Sequence, residues 1–151
     1  MVISFIYNFL CGPIGEESSW RGFLQPIMEK RYAIIKGSFL IGVICAMWHF
    51  PLWLISGYVK LNLLIYSVSF IVCITAFAVI MGICYKHNNN LLVPIWMHPI
   101  FNFCISGLYK GDVLHILTIL TALYVVAAIG FVLWESKQHR MPQSSTLGSY
   151  N

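Results

Sequence analysis

The amino-acid sequence predicts an all-α protein that crosses a membrane several times. Of its 151 residues, 59% are hydrophobic and only 9% are charged, and the mean hydropathy is +0.79. Soluble domains carry about 25% charged residues, so charge this scarce cannot cover a water-facing surface. Long apolar stretches also alternate with short polar turns, and about 20 apolar residues suffice for a helix to span a bilayer. We therefore expect a polytopic bundle of about four to five membrane helices.

The first apolar stretch is predicted to contain a break. Residues 1–11 are apolar but too short to span about 30 Å of hydrocarbon. Gly12-Pro13 then interrupts the helix that they would begin. We expect a new helix from about Glu16 to Lys30, followed by a loop at residues 31–36.

Later apolar stretches predict four further spanning helices. They cover residues 37–58, 61–85, 91–108 and 113–134, and polar turns at 86–90 and 109–112 separate the last three. Residues 1–134 are therefore expected to form the membrane-embedded core. Residues 135–151 are polar and rich in Ser and Gln, which predicts a disordered tail.

The positions of Lys and Arg predict how the bundle is oriented. If the helices alternate in direction, Lys60 and Lys110 lie on one side, and the other side carries Lys30, Arg31, Lys36, Lys86, Lys137 and Arg140. Cytoplasmic loops carry an excess of basic residues, so we expect the C-terminal tail in the cytoplasm, with a bacterial cell membrane as the location. No basic stripe is interleaved with exposed aromatic residues, so the expected surroundings are the lipid bilayer and not nucleic acid.

A few polar side chains interrupt the apolar helices, where an ionisable group is costly and is a candidate for function. They are Glu16, Glu17, Arg21, His49, His98 and Asn102. At a rise of about 1.5 Å per residue, Glu16 lies roughly 20 Å, His49 about 18 Å and His98 about 11 to 16 Å from the basic side. Three helices therefore place polar groups at a similar depth, which predicts one shared site.

Spacing along each helix separates these residues into groups. Glu17 and Arg21 are four residues apart, so their side chains can pair. Glu16 lies about 140° around the helix from Arg21 and is therefore on a different face. His98 and Asn102 are again four apart and project together. One carboxylate is thus expected to be neutralised by a structural pair while the other remains available for chemistry.

Two kinds of chemistry fit these residues. A carboxylate and an imidazole can hold and deprotonate water, while a second imidazole and an amide donate hydrogen bonds to an oxyanion. Alternatively, Glu16, His49 and His98 could bind Zn²⁺ as three ligands and leave a fourth position for water. The ligand residues are far apart and no His-Glu-x-x-His motif is present, so the zinc interpretation is the less favoured one. No other cofactor is predicted.

The motifs resemble those of the CAAX prenyl proteases and bacteriocin-processing or immunity enzymes, called the CPBP or Abi family. The family's first motif, Glu-Glu-x-x-x-Arg followed by Gly and an aromatic residue, matches residues 16–23 in full. The second motif, Phe-x-x-x-His, matches at His49, and the third, His-x-x-x-Asn, matches His98 and Asn102. The resemblance covers about residues 12–105 and implies an intramembrane protease.

Roles for the site residues also follow from the resemblance. It implies that Glu16 is the base and His49 its partner in activating water, and that His98 and Asn102 stabilise the oxyanion. Glu17 and Arg21 would shape the site. Family members are often described as metalloproteases, and a metal-free glutamate mechanism is also argued for them; we favour the metal-free one.

The sequence departs from the family pattern in two ways. Cys45 replaces the Phe of the second motif, which removes bulk beside His49 but no reactive group. Family members usually have additional membrane helices before the first motif, whereas about eleven apolar residues precede the break here. The expectation is a truncated member, a fragment or a minimal core, and the short N-terminus puts activity in question.

The predicted function is therefore hydrolysis of a peptide bond inside the membrane. The substrate would be a prenylated C-terminus, a peptide-precursor leader or another membrane protein. Two alternatives remain open on the residues alone. One is a non-catalytic bacteriocin-immunity or interaction protein, and the other is a transporter subunit whose Glu and His residues relay protons.

Overall fold

The computed structural model describes residues 12–107 and 113–140, and these residues form helices and short connections without any β-strand. The helices are α1 (Pro13–Glu17), a π-helical stretch (Ser18–Leu24), α2 (Gln25–Trp48), α3 (Phe50–Leu54), α4 (Lys60–Asn88), α5 (Leu92–Gly107) and α6 (Val113–Arg140). The prediction of an all-α bundle is confirmed.

The segment labelled α2 consists of two helices that form a hairpin, and the chain reverses between them at Ala33. Ala33 has φ 59° and ψ 171°, far from helical values. A Cβ added at Gly37 would lie 3.3 Å from Cβ of Met28, although nine residues of straight helix would separate them by about 13 Å. The chain therefore reverses here, giving a first arm (residues 25–32) and a second arm (residues 34–48). The predicted loop at 31–36 is wrong in extent, because the reversal takes a single non-helical residue.

Small residues allow the second arm of α2 to lie close against α4. Ser38, Gly42 and Ala46 are spaced four apart on one face, and all are buried. A Cβ added at Gly42 would lie 2.7 Å from Cα of Thr75 and 2.9 Å from Cβ of Ala78. Because lipid tails are as apolar as the side chains, membrane helices associate through this kind of close backbone packing.

Helix α4 is the central helix of the bundle. Its residues from Cys73 to Ile83 are almost all buried, and they face the second arm of α2 on one side and α6 on the other. Phe77 of α4 stacks on Phe101 of α5 with ring centroids 4.2 Å apart, and Tyr124 of α6 meets both rings edge-on. This aromatic cluster fixes α5 against the core.

The outer surface of the bundle is apolar. Three helical stretches, Pro13–Trp48, Lys60–Asn88 and Val113–Gln138, are long and apolar enough to cross a membrane, and Ala33 divides the first of them into two arms. Helix α5 contributes the shorter apolar stretch Leu92–Ile105. Large aliphatic side chains point outward along α6, for example Leu123 and Val126 at 61% and 70% exposure. Such a surface is stable in lipid, and the protein is an integral membrane protein.

A cluster of ion pairs joins the C-terminal parts of α4 and α6. Glu135 is 1% exposed, and its carboxylate lies 2.7 Å from Lys86 Nζ and 2.5 Å from His87 Nε2. Helix α4 consequently continues to Asn88, and α6 continues to Arg140. The predicted turn beginning at Lys86 and the predicted disordered tail beginning at Glu135 are therefore wrong in these residues, because the polar side chains pair with one another.

The predicted second helix, residues 37–58, also ends earlier than expected. It stops at Trp48, and the short helix α3 follows after His49, whose φ and ψ are −86° and 2°. Pro51 has no N–H to donate to the carbonyl of Met47, so a continuous helix is disfavoured at this point. The predicted helix start near Glu16 moves to Pro13. The predictions for residues 1–11, for the turn at 109–112 and for the tail beyond residue 140 concern residues outside the described part of the chain.

Close packing at Gly42 gives a stability prediction. We expect Gly42→Ala to destabilise the protein by about 1–3 kcal/mol, because the added methyl group overlaps the backbone of α4. Gly130→Ala is the matched control, since a Cβ at Gly130 meets nothing within 4 Å. Thermal unfolding of the purified chain in detergent measures both. Equal melting temperatures for the two variants would contradict the close approach of the helices.

Candidate active site

The first arm continues N-terminally through the π-helical stretch and α1, and we call the whole run of residues 13–32 the first helical arm. One face of this arm carries buried side chains at a spacing of four residues. Pro13, Glu17, Arg21 and Gln25 are all buried. In a regular α-helix, residues four apart drift about 40° around the axis at each step. The π-helical stretch Ser18–Leu24 has wider turns, and these reduce the drift. The local geometry thus keeps Glu17, Arg21 and Gln25 on one side.

Two serine side chains support the entry into the π-helical stretch. Ser18 Oγ donates to the carbonyl of Ile14 at 2.6 Å, and Ser19 Oγ donates to the carbonyl of Gly15 at 3.0 Å. Serine bonds of this kind to the preceding turn occur where helices bend. The pair of serines inside the first motif therefore stabilises backbone carbonyls beside the site, and the hydroxyls are not candidates for nucleophiles.

Glu17 is the centre of the polar cluster. Its carboxylate is 0% exposed and lies 2.9 Å from Nη1 of Arg21, which is 2% exposed. His98 of α5 donates from Nδ1 to Oε1 of Glu17 at 2.6 Å. The predicted pairing of Glu17 with Arg21 is confirmed. The contact with His98 links the first arm to a helix that is 81 residues away in sequence.

Glu16 lies next to the same histidine but is more accessible. Its side chain is 30% exposed, and Oε2 lies 3.9 Å from Nε2 of His98. This distance is too long for a direct hydrogen bond, but a water about 2.8 Å from each atom would contact both. Oε2 of Glu16 is sheltered from solvent and accepts no hydrogen bond from the described part of the chain. The structure therefore leaves one carboxylate able to hold a water molecule.

His49 is held at the break between α2 and α3. Its Nδ1 lies 2.8 Å from the carbonyl oxygen of Cys45, and its ring packs 5.5 Å from that of Phe70. A carbonyl oxygen only accepts hydrogen bonds, so Nδ1 carries the proton and Nε2 of the neutral ring has a free lone pair. The end of helix α2 thus orients His49, and the basic nitrogen Nε2 remains available to accept a hydrogen bond.

In the described part of the chain, His49 makes no direct contact with the carboxylates. The thiol of Cys45, one turn earlier, lies within electrostatic range of Glu16, Glu17 and Arg21. Among residues 12–107 and 113–140, however, no hydrogen bond or ion pair joins His49 to a carboxylate. His98 bonds to Glu17 and lies 3.9 Å from Glu16. The family resemblance instead implies that His49 is the partner of Glu16.

Asn102 follows His98 by one turn of α5 and is half-buried. The spacing of four places both side chains on the same face of the helix. Phe101, on an adjacent face, is 2% exposed and stacks on Phe77 of α4. This anchor fixes the rotation of α5, so the face with His98 and Asn102 is directed towards the first helical arm.

The predicted zinc ligands do not assemble into a metal site. In the described part of the chain, no group of three or more His, Cys, Asp or Glu side chains is arranged to hold a metal ion. Glu16 and His98 approach each other, but His49 supplies no third ligand beside them. As they lie in the structure, Glu16, His49 and His98 therefore do not form a three-ligand site for Zn²⁺.

Gln25 is a site-supporting residue that the sequence interpretation missed. It is 1% exposed, and its Nε2 donates to the carbonyl of Gly82 on α4 at 3.0 Å and to Oε1 of Glu29 at 2.7 Å. Its position four residues after Arg21 was the available signal. The bond to α4 fixes the arm that carries Glu17 and Arg21, so Gln25 helps to set their height against α5.

Comparison with known proteins places the chain in a family. The profile described as type II CAAX prenyl endopeptidase Rce1-like matches residues 1–104, a range that contains all six predicted site residues. The chain belongs to the Rce1-like family. The resemblance to CAAX prenyl proteases is thereby confirmed.

A curated relative of this Rce1-like chain is CAAX prenyl protease 2 of Methanococcus maripaludis. The two are 26% identical over 102 residues, which is 64% of this chain and 38% of the relative. The chain therefore covers well under half the length of that relative. No solved structure gives a significant match.

The buried pair of this Rce1-like chain gives a prediction about stability. Arg21→Met leaves the carboxylate of Glu17 buried without its cation, and we expect a loss of about 3–5 kcal/mol. Glu17→Gln combined with Arg21→Met should recover much of that loss, because no unpaired charge then remains buried. Unfolding of the single and double variants in detergent completes a double-mutant cycle. Simple addition of the two single effects would refute the pairing.

Proposed function

We propose that the chain is an intramembrane endopeptidase that hydrolyses a peptide bond with water activated by Glu16. The supporting observation is the unequal environment of two adjacent carboxylates. Glu17 is fully buried and paired with Arg21, whereas Glu16 is partly exposed and has no hydrogen-bond donor on Oε2 within the described residues. One carboxylate is committed to structure, and the other is free to act as a base.

In the proposed reaction, Glu16 removes a proton from a water molecule held beside it. The resulting hydroxide attacks the carbonyl carbon of the scissile bond and forms a tetrahedral intermediate. Glu16, now protonated, returns the proton to the leaving nitrogen as the carbon–nitrogen bond breaks. The products are a carboxylic acid and an amine, and no covalent bond to the protein forms.

The two histidines would have different roles in this reaction. His49 accepts a hydrogen bond at Nε2 and orients the water, since its Nδ1 is already committed to the Cys45 carbonyl. His98 donates from Nδ1 to Glu17, so that Nε2 is the atom that faces Glu16. Protonated at Nε2, His98 donates to the oxyanion, and Asn102 supplies a second donor from its amide. Glu17 orients the ring of His98 through the hydrogen bond from Nδ1.

The proposed substrate is a prenylated C-terminal segment of the Cys-a-a-X type. The Rce1-like profile and the Methanococcus maripaludis relative both carry this specificity in their names. A prenylated peptide is anchored in the membrane by its lipid, and the site of this chain lies among apolar helices. Leader peptides and other membrane proteins are the remaining substrate classes. If the chain cleaved only these and not a prenylated peptide, the proposed substrate would be wrong.

Substitution of Glu16 tests the proposed base. Glu16→Gln keeps the size and polarity of the side chain but cannot accept a proton, so we expect peptidase activity to fall by about 10²–10⁴-fold. The measurement is cleavage of a fluorogenic prenylated peptide by the full chain in liposomes. Glu29→Gln, which can still accept the hydrogen bond from Gln25, is the control and should retain activity. Full activity of Glu16→Gln would exclude the glutamate mechanism.

Treatment with chelators tests the metal-free mechanism. Glu16, His49 and His98 do not form a metal-holding group in the structure. We therefore expect EDTA or 1,10-phenanthroline to change the rate of cleavage by less than about twofold, because no metal is then linked to the reaction. The same assay with added Zn²⁺ is the control. Loss of activity with chelator and its recovery with Zn²⁺ alone would show that the active protein uses the metal.

A further inference from the structure

An apolar groove lies on the outer surface between the second arm of α2, α4 and α6, away from the residues assigned to catalysis. Its volume is about 670 Å³. The small residues Thr75, Ala76 and Ala128 line it together with bulkier side chains such as Phe39, Val72 and Ile129. Apart from Thr75 and two residues at one end, the lining side chains are apolar. The groove therefore suits a hydrocarbon chain along most of its length.

The groove ends in a cationic rim. Lys36 and Tyr32 both line it, and Lys36 Nζ lies 5.1 Å from the centroid of the Tyr32 ring. The guanidinium of Arg31 lies 5.3 Å from the same ring. No Asp or Glu is among the lining residues. Two cations flanking one aromatic ring, with no acid in the groove, are complementary to a phosphate.

The length of the groove corresponds to one leaflet of a bilayer. On the second arm the lining runs from Lys36 to Val43, about 10 Å, and on α6 from Leu133 to Val125, about 12 Å. Half of a hydrocarbon core about 30 Å thick is about 15 Å. The cationic rim lies at the same end of the bundle as the ion pair of Lys86 with Glu135, because Ile34 and Ile35 pack with Ile83 and Val132. The groove thus extends from a basic membrane surface towards the midplane.

The cationic rim favours a lipid over a transmembrane helix of another protein. A transmembrane helix need not present an anionic group at the rim. A phospholipid always does, because its phosphate is joined to its acyl chains through glycerol.

We propose that this groove is a binding site for one anionic phospholipid. An acyl chain occupies the apolar part, and the headgroup phosphate contacts Lys36 with Arg31 next to it. Basic pockets between membrane helices bind anionic headgroups through the same chemistry. The site is independent of the proposed peptidase activity, because none of the residues assigned to catalysis lines the groove.

Lipid binding to the purified full chain tests the headgroup contact. Native mass spectrometry would compare dioleoyl phosphatidylglycerol with dioleoyl phosphatidylcholine, which have identical acyl chains. We expect phosphatidylglycerol to bind at least about tenfold more tightly, and Lys36→Gln to reduce that preference by about fivefold. Lys60→Gln is the matched control, because Lys60 is exposed and outside the groove. Equal affinity for the two lipids, or equal effects of the two substitutions, would overturn the proposal.

A second pair of variants tests the acyl-chain contact. Val72→Trp fills the groove and should weaken binding of both lipids, whereas Val68→Trp, one turn away on α4 and outside the groove, should not. Unchanged binding by Val72→Trp would also overturn the proposal, since the headgroup would then bind without the groove. If Val72→Trp does not fold, the comparison of Lys36→Gln with Lys60→Gln still decides, because both lysines are exposed. Binding is measured without peptidase activity, so failure of one proposal leaves the other intact.

Discussion

The burial of the Glu17 carboxylate is the constraint on which the site depends. A fully buried charge in a membrane bundle is unfavourable by several kcal/mol unless a partner compensates it. Arg21 supplies the charge from the next turn, and His98 supplies a hydrogen bond from α5. Removing any one of the three leaves the others with unsatisfied polar groups in an apolar interior. The first helical arm and α5 are therefore positioned by a polar contact and not by apolar packing alone.

Backbone geometry elsewhere in the bundle serves this contact. The π-helical stretch keeps Glu17, Arg21 and Gln25 on one face, and Gln25 then fixes that face to the carbonyl of Gly82 on α4. The same glycine lies against Ser38 of the second arm. Helix α4 thus holds both arms of the hairpin at one level, while its Phe77 holds α5 through Phe101. Helix α4 therefore positions both the segment that carries Glu17 and the helix that carries His98.

Local spacing predicted what depends on a single helix, and tertiary contacts decided the rest. A period of 3.6 residues predicts the pairing of Glu17 with Arg21 and the separate position of Glu16. The structure confirms both, although the backbone that follows Glu17 is π-helical. The contact between His98 and Glu17 joins two helices, and no spacing along one helix could reveal it. The polar character of Lys86 and Glu135 predicts the start of a turn and of a tail. In the structure, however, the two side chains form an ion pair between α4 and α6. The π-helical stretch and the one-residue reversal at Ala33 have no simple sequence signal.

In the proposed mechanism, the contacts of His98 give the two adjacent carboxylates different roles. Nδ1 of His98 bonds to Glu17, and Nε2 lies 3.9 Å from Glu16. Glu17 is already balanced by Arg21, so it can orient the imidazole without forming an isolated pair with it. In that mechanism, negative charge moves from Glu16 to the oxyanion when Glu16 takes a proton from water. The imidazolium is then freer to donate to the oxyanion that forms at the same moment. Electrostatic support would thus shift from the base to the intermediate as the reaction proceeds, which is the arrangement that favours a transition state over a ground state.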